Sequence, residues 1–276
     1  MKKSIIYLVI FVAIQLTVTF AVQLGMKLIG GGTGDDNTIT QLLLVSGISS
    51  ALTILLFLAL KWCPVDRHFF KGNGWKAIAM MILTVVLAIG IIVPLALLEE
   101  LIPESWTIDL MGNQLVEMLK TREGYFIVCM LAPLAEEVVF RGAMIRALQQ
   151  WITDKYPTDG DMTWSHLTIK KWLPVIISAF FFAAVHMNPA QIPHALIVGC
   201  LLGWLYVRTN SILPGFILHC INNSVAYLLV MLFPHIPMDA NVEAYFGGNI
   251  MAVVQAVVSS LMIIIPTLYL MNKIKD

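Results

Sequence analysis

Apolar residues occupy this chain in long runs that only short polar segments interrupt. Eight runs approach or exceed the roughly 20 residues that an α-helix needs to cross about 30 Å of hydrocarbon. They lie near residues 5–28, 41–61, 77–101, 124–147, 172–187, 191–208, 211–233 and 249–271. The pattern predicts an all-α polytopic membrane protein with about eight transmembrane helices, built as a single integral-membrane domain over residues 1–276.

Composition and charge narrow the class of protein further. Of the 276 residues, 59% are hydrophobic and 12% are charged, and the formal net charge is zero. A neutral chain has no global field that would attract nucleic acid, so we expect no nucleic-acid partner. With the N-terminus placed inside, 13 of the 17 Lys and Arg residues fall on inner loops and tails. This bias predicts both termini in the cytoplasm, and the short loops favour a bacterial plasma membrane.

The fourth apolar run contains three charged residues, Glu136, Glu137 and Arg141. Each charge at the centre of a membrane helix costs about 2.5–3.5 kcal/mol, so a purely structural span would not retain them. Glu137 and Arg141 are four residues apart, and we expect them to form a hydrogen-bonded ion pair. Glu136 should point about 100° away around the helix, with Glu137 facing away from any site that Glu136 serves.

Two later runs also carry polar residues. His186 follows Phe182 by four residues in the fifth run, and the seventh run holds His219 and Asn223 on one face. The helical rise places these groups and Glu136 at similar depths in the membrane. A lone histidine of this kind is commonly an interhelical contact, but the shared depth indicates a polar intramembrane cavity with a functional centre. A carboxylate beside a histidine in such a cavity is a plausible general base.

Three motifs together resemble the CAAX-protease and bacteriocin-processing (Abi, CPBP) family of intramembrane glutamic endopeptidases. In chain order they are Glu136-Glu137-x-x-x-Arg141, Phe182-x-x-x-His186 and His219-x-x-x-Asn223. The resemblance covers residues 124–230, which would form the catalytic core from helices four to seven. It implies hydrolysis of a peptide bond in a small membrane-associated peptide or protein that enters from the lipid bilayer.

The resemblance also assigns roles to the polar residues. Glu136 would activate the attacking water, and His186 would assist and orient that water. His219 and Asn223 would stabilise the oxyanion of the tetrahedral intermediate. Phe182 belongs to the second motif and would support the site.

The need for a metal is a separate question. Glu136, His186 and His219 could in principle bind zinc. However, the chain has no H-E-x-x-H motif, and Glu137 would then have to serve as the base while facing the wrong way. We favour a mechanism without a cofactor, in which Glu137 and Arg141 hold the fourth helix in register, and keep zinc as the alternative.

Two other classes of function remain open from the sequence. A proton-coupled transporter could use Glu136 and the histidines as a proton relay, although the chain lacks the paired repeats that transporters commonly show. A non-catalytic scaffold or bacteriocin-immunity protein could keep the site and work by binding partners. Gly199-x-x-x-Gly203 in the sixth run predicts close helix packing, within one chain or between chains, so the motif leaves the oligomeric state open.

Overall fold

The computed structural model describes residues 1–28, 35–64, 74–106, 112–155, 164–237 and 240–274. Across these ranges the regular structure is entirely helical, without a strand. The prediction of an all-α polytopic membrane protein is confirmed.

The helices follow one another along the chain with short connections. Residues 122–155 form one helical run, here called α5, that switches between α and π geometry. A 3-10 turn lies at Glu104–Trp106, after the third helix. The other helices are α1 (Lys2–Leu28), α2 (Asp35–Ala59), α3 (Gly74–Glu100), α4 (Gly112–Leu119), α6 (Trp164–Ala184), α7 (Ile192–Thr209), α8 (Leu213–Leu232), α9 (Val242–Tyr245) and α10 (Ile250–Lys273).

Within the described residues, six helices are long and apolar enough to cross a membrane. They are α1, the Thr38–Ala59 part of α2, α3, α7, α8 and α10. The predicted fourth and fifth spans correspond to α5 and α6, which are not among the six. In α5 the π segments divide the run into short pieces, so it is not one long α-helix. The predicted count of eight spans therefore stays a prediction.

The broken helix α5 lies inside the bundle, where α1, α2, α6, α7 and α8 all pack against it. Aromatic rings from three helices meet in this core. Phe140 of α5 meets Phe11 of α1 and Phe182 of α6 edge-on, with ring centroids 5.7 and 5.4 Å apart. Glu137 and Arg141 in the middle of α5 are consequently buried inside protein rather than turned to lipid.

The two glycines of the predicted packing motif lie against α6, as that motif requires. A Cβ atom built on Gly199 would lie 3.1 Å from the Cα atom of Ala179, and one on Gly203 would lie 2.8 Å from Cγ1 of Val175. Close packing of α7 is thus a contact between helices of the same chain. It brings the backbone of α7 near the charged part of α5.

We expect Gly203→Ala to lower the free energy of unfolding by about 1–3 kcal/mol, because the added methyl group overpacks the contact with α6. Thermal unfolding in detergent micelles measures the change. Gly25→Ala is the matched control, since a Cβ atom at Gly25 meets nothing within 4 Å. Equal unfolding midpoints for the two variants would contradict the close contact.

Candidate active site

The local geometry of α5 places its two adjacent carboxylates in different surroundings. Glu136 ends the α-helical segment Ala132–Glu136, and Glu137 begins the π segment Glu137–Ile145. Every residue of that π segment is buried. π turns occur frequently at functional sites, where they alter the direction in which side chains leave the helix.

A fully buried ion pair forms the base of the site. Arg141 donates from Nη1 to Oε1 of Glu137 at 2.9 Å, and from Nη2 to the carbonyl of Gly199 at 3.1 Å. Both charged side chains have no exposed surface. The guanidinium carbon also lies 4.4 Å from the ring centroid of Phe182, within cation–π range. The predicted Glu137–Arg141 pair is therefore confirmed, and its role in holding the helix remains a prediction.

His219 of α8 lies between the two carboxylates. Its Nδ1 is 3.3 Å from Oε1 of Glu137, and its Nε2 is 3.5 Å from Oε2 of Glu136. The expectation that Glu137 faces away from the site of Glu136 is wrong. An imidazole has nitrogens on two sides of its ring, so one histidine can face two carboxylates that leave their helix in different directions.

Exposure separates the two carboxylates. The side chain of Glu136 is 23% exposed, whereas that of Glu137 is fully buried and that of His219 is 4% exposed. Glu137 is already engaged by Arg141 and by Nδ1 of His219. Glu136 is thus the carboxylate that a water molecule or a substrate can reach.

His186 joins the site through Phe182. Its Nδ1 is 2.9 Å from the carbonyl oxygen of Phe182, and because a carbonyl only accepts, Nδ1 carries the hydrogen. The ring of Phe182 meets the rings of His186 and His219 edge-on, with centroids 5.0 and 5.6 Å apart. No hydrogen bond or ion pair between His186 and Glu136 is present in the described part of the chain.

Asn223 lies one turn beyond His219 on α8 and is fixed against α5. Its Nδ2 donates to the carbonyl of Val128 at 3.1 Å, and the thiol of Cys129 donates to the backbone carbonyl of Asn223 at 3.5 Å. The structure thus brings five of the predicted site residues into one cluster of contacts: Glu136, Glu137, Arg141, Phe182 and His219. His186 and Asn223 lie at the edges of this cluster.

The donor set does not fit a three-ligand metal site. Among the residues that the structure describes, no three His, Cys, Asp or Glu side chains are grouped to hold a metal ion. Both nitrogens of His219 already face carboxylates, and His186 lies across the ring of Phe182. Independence of a cofactor stays a prediction, which a chelator experiment can test.

Sequence reasoning missed two backbone contributions to this site. The carbonyl of Gly199 accepts from Arg141, although the motif indicated only packing. At Gly215 the absence of a side chain leaves room for the Glu137 carboxylate, because a Cβ atom there would lie 2.8 Å from its Oε2. Gly215 precedes His219 by four residues and shares its helix face, so the spacing could have identified it.

A comparison with protein families matches residues 122–225 to a model described as "Type II CAAX prenyl endopeptidase Rce1-like". Over these residues the chain is similar to the Rce1-like family. The Rce1-like segment includes the helical run α5, α6, α7 and the part of α8 that carries His219 and Asn223. No curated protein and no solved structure matches the chain.

The similarity to the Rce1-like family and the apolar helices agree on the broad class of protein. The chain is an integral, multi-pass membrane protein, and the Rce1-like match supports an intramembrane CAAX protease. All the residues of the three predicted motifs fall inside the matched segment.

Proposed function

We propose that this protein is a glutamate-type intramembrane endopeptidase that hydrolyses a peptide bond in a membrane-anchored peptide or protein. One observation carries the proposal: Glu136, the partly exposed carboxylate of the two, faces His219 inside a bundle of apolar helices. The family match supports the reaction class, since CAAX endopeptidases cleave peptide bonds. The preferred substrate is a chain whose lipid anchor holds it in the bilayer.

The catalytic step begins with a water molecule beside Glu136. The carboxylate removes a proton from that water while the water oxygen attacks the carbonyl carbon of the scissile bond. The carbonyl π electrons move to the oxygen, which becomes the oxyanion of the tetrahedral intermediate. Protonated Glu136 then gives the proton to the departing amide nitrogen as the C–N bond breaks, leaving a new carboxyl terminus and a free amine.

His219 and Asn223 supply donors to the oxyanion in this proposal. Glu137 accepts from Nδ1 of His219 and fixes the ring orientation, as a buried carboxylate does in hydrolases with an Asp–His pair. To donate to the oxyanion as well, the ring must also carry a hydrogen on Nε2, as the imidazolium form does, and Nε2 lies on the side of Glu136. Asn223 has two hydrogens on Nδ2, and its bond to Val128 uses only one of them.

His186 has a supporting role. With its hydrogen on Nδ1 and donated to the carbonyl of Phe182, the ring presents a lone pair on Nε2. That lone pair can accept a hydrogen bond from the attacking water and orient it. Phe182 fixes the ring orientation because it contacts both histidines and the Arg141 guanidinium.

Purified protein in lipid vesicles should cleave a prenylated peptide ending in a CAAX sequence, and His219→Gln should lower kcat about 10²–10³-fold, as expected for loss of one oxyanion donor. Mass spectrometry of the fragments measures both rate and cleavage position. His194→Gln is the matched control, because His194 also contacts a carboxylate, Glu99 at 2.9 Å, but lies outside the site. Equal loss in both variants would contradict the role of His219.

A chelator added to the same assay should leave the rate unchanged, because no step requires a metal. A rate that falls with chelator and returns with zinc would instead support the zinc alternative. Vesicles that show proton uptake without any cleavage would favour the transporter hypothesis, and binding of a partner without either would favour the scaffold or immunity hypothesis. Cleavage of bacteriocin precursors is tested by substituting those peptides as substrates.

A further inference from the structure

The carbonyl of Val128 has no hydrogen-bond donor within its own helix, neither four residues ahead as in an α-helix nor five residues ahead as in a π-helix. In an α-helix this carbonyl would accept from the N–H of Ala132, but Ala132 donates to the carbonyl of Ile127 in the π segment Ile127–Leu131. The next residue along the chain is Pro133, which has no backbone N–H. The π geometry and the proline together leave a part-buried main-chain acceptor without a donor from its own helix.

A side chain from a distant part of the sequence satisfies that acceptor. Nδ2 of Asn223 donates to the Val128 carbonyl at 3.1 Å across a separation of 95 residues. The thiol of the next residue, Cys129, donates to the backbone carbonyl of the same asparagine. Two successive residues of α5 thus hold Asn223 by its side chain and by its main chain.

We propose that Pro133 is a positioning residue for Asn223. The missing N–H of Pro133 keeps the Val128 carbonyl open, and that carbonyl fixes the amide of Asn223 in one orientation with its second hydrogen free for the oxyanion. The inference rests on the proposed function, in which Asn223 is an oxyanion donor.

Pro133→Ala supplies the N–H that the helix lacks and should let the Val128 carbonyl bond within its own helix. We expect kcat to fall about 10- to 100-fold, because a displacement of a catalytic group by about 1 Å has an effect of this size. KM should stay unchanged, and the thermal unfolding midpoint should be equal or higher, because the helix gains a hydrogen bond. A merely structural proline would lower activity and stability together.

Pro174→Ala is the matched control. Pro174 is also buried inside a helix of the core, α6, but lies far along the chain from the Val128 carbonyl. It should leave kcat unchanged. If Pro133→Ala does not fold, Pro133→Ser restores the same N–H and takes its place.

The decisive comparison adds Asn223→Ala. If Pro133 acts through Asn223, the double variant Pro133→Ala/Asn223→Ala should have the kcat of Asn223→Ala alone, to within about twofold. Independent, multiplying losses would overturn the inference, as would wild-type kcat in Pro133→Ala. Failure of the proposed function is distinct, since it would appear as full cleavage by Asn223→Ala and by a variant that lacks Glu136.

Discussion

Glu136→Gln is expected to lower kcat about 10²–10⁴-fold, the range that general-base catalysis supplies. Glutamine keeps the size of the side chain and its place opposite His219, but it cannot accept the proton of the attacking water. KM should change little, because the partly exposed side chain acts on the water rather than on the anchoring parts of the substrate. The rate of peptide cleavage in lipid vesicles, followed by mass spectrometry, measures both constants.

Glu99→Gln is the control for that substitution. Glu99 also faces a histidine, with 2.9 Å between its Oε1 and Nδ1 of His194, but it lies near the end of α3 and outside the site. Its replacement should leave kcat unchanged. Cleavage by Glu136→Gln at the wild-type rate would remove the proposed base.

Arg141→Met is expected to lower the free energy of unfolding by about 3–5 kcal/mol, because it leaves the carboxylate of Glu137 buried without its counter-charge. The same change removes the hydrogen bond to Gly199 and the contact with the Phe182 ring. Equilibrium unfolding in bicelles measures the loss. Removing both charges together, as Glu137→Leu/Arg141→Met, should destabilise less than the single change, since no unpaired charge then remains.

Lys120→Met is the control, because it also removes the cation of an ion pair, but of one at the surface. Lys120 bonds Glu117 at 2.6 Å, but both side chains are nearly half exposed. Exposed pairs of this kind contribute about 0–1 kcal/mol, so this variant should stay close to wild type. A similar, small effect in Arg141→Met would contradict the account of the buried pair.

The sequence predicted the parts of this site that depend on one helix. Glu137 and Arg141 meet because side chains four residues apart lie on one face, and this local rule holds within the irregular helix α5. The contacts of His219 with both carboxylates could not be predicted in the same way. They depend on the rotation and height at which α8 packs against α5, which no local pattern specifies.

The helix count illustrates a second limit. Hydropathy identified the long, regular spans α1, α3 and α10 within a few residues, since these helices are apolar over their whole length. It could not identify the π segments of α5, because the choice between a donor four or five residues ahead depends on packing around the helix. Nor could it show that the Val128 carbonyl beside Pro133 is open to a side chain, because the donor, Asn223, lies 95 residues further along the chain.

Cleavage in water labelled with heavy oxygen tests the central claim most directly, because the claim is that Glu136 activates water to attack a peptide bond inside the membrane. Wild-type protein in lipid vesicles should release a fragment whose new carboxyl terminus carries one labelled oxygen, and Glu136→Gln should release almost none. Fragments without the label, or labelled fragments formed by Glu136→Gln at the wild-type rate, would contradict the account.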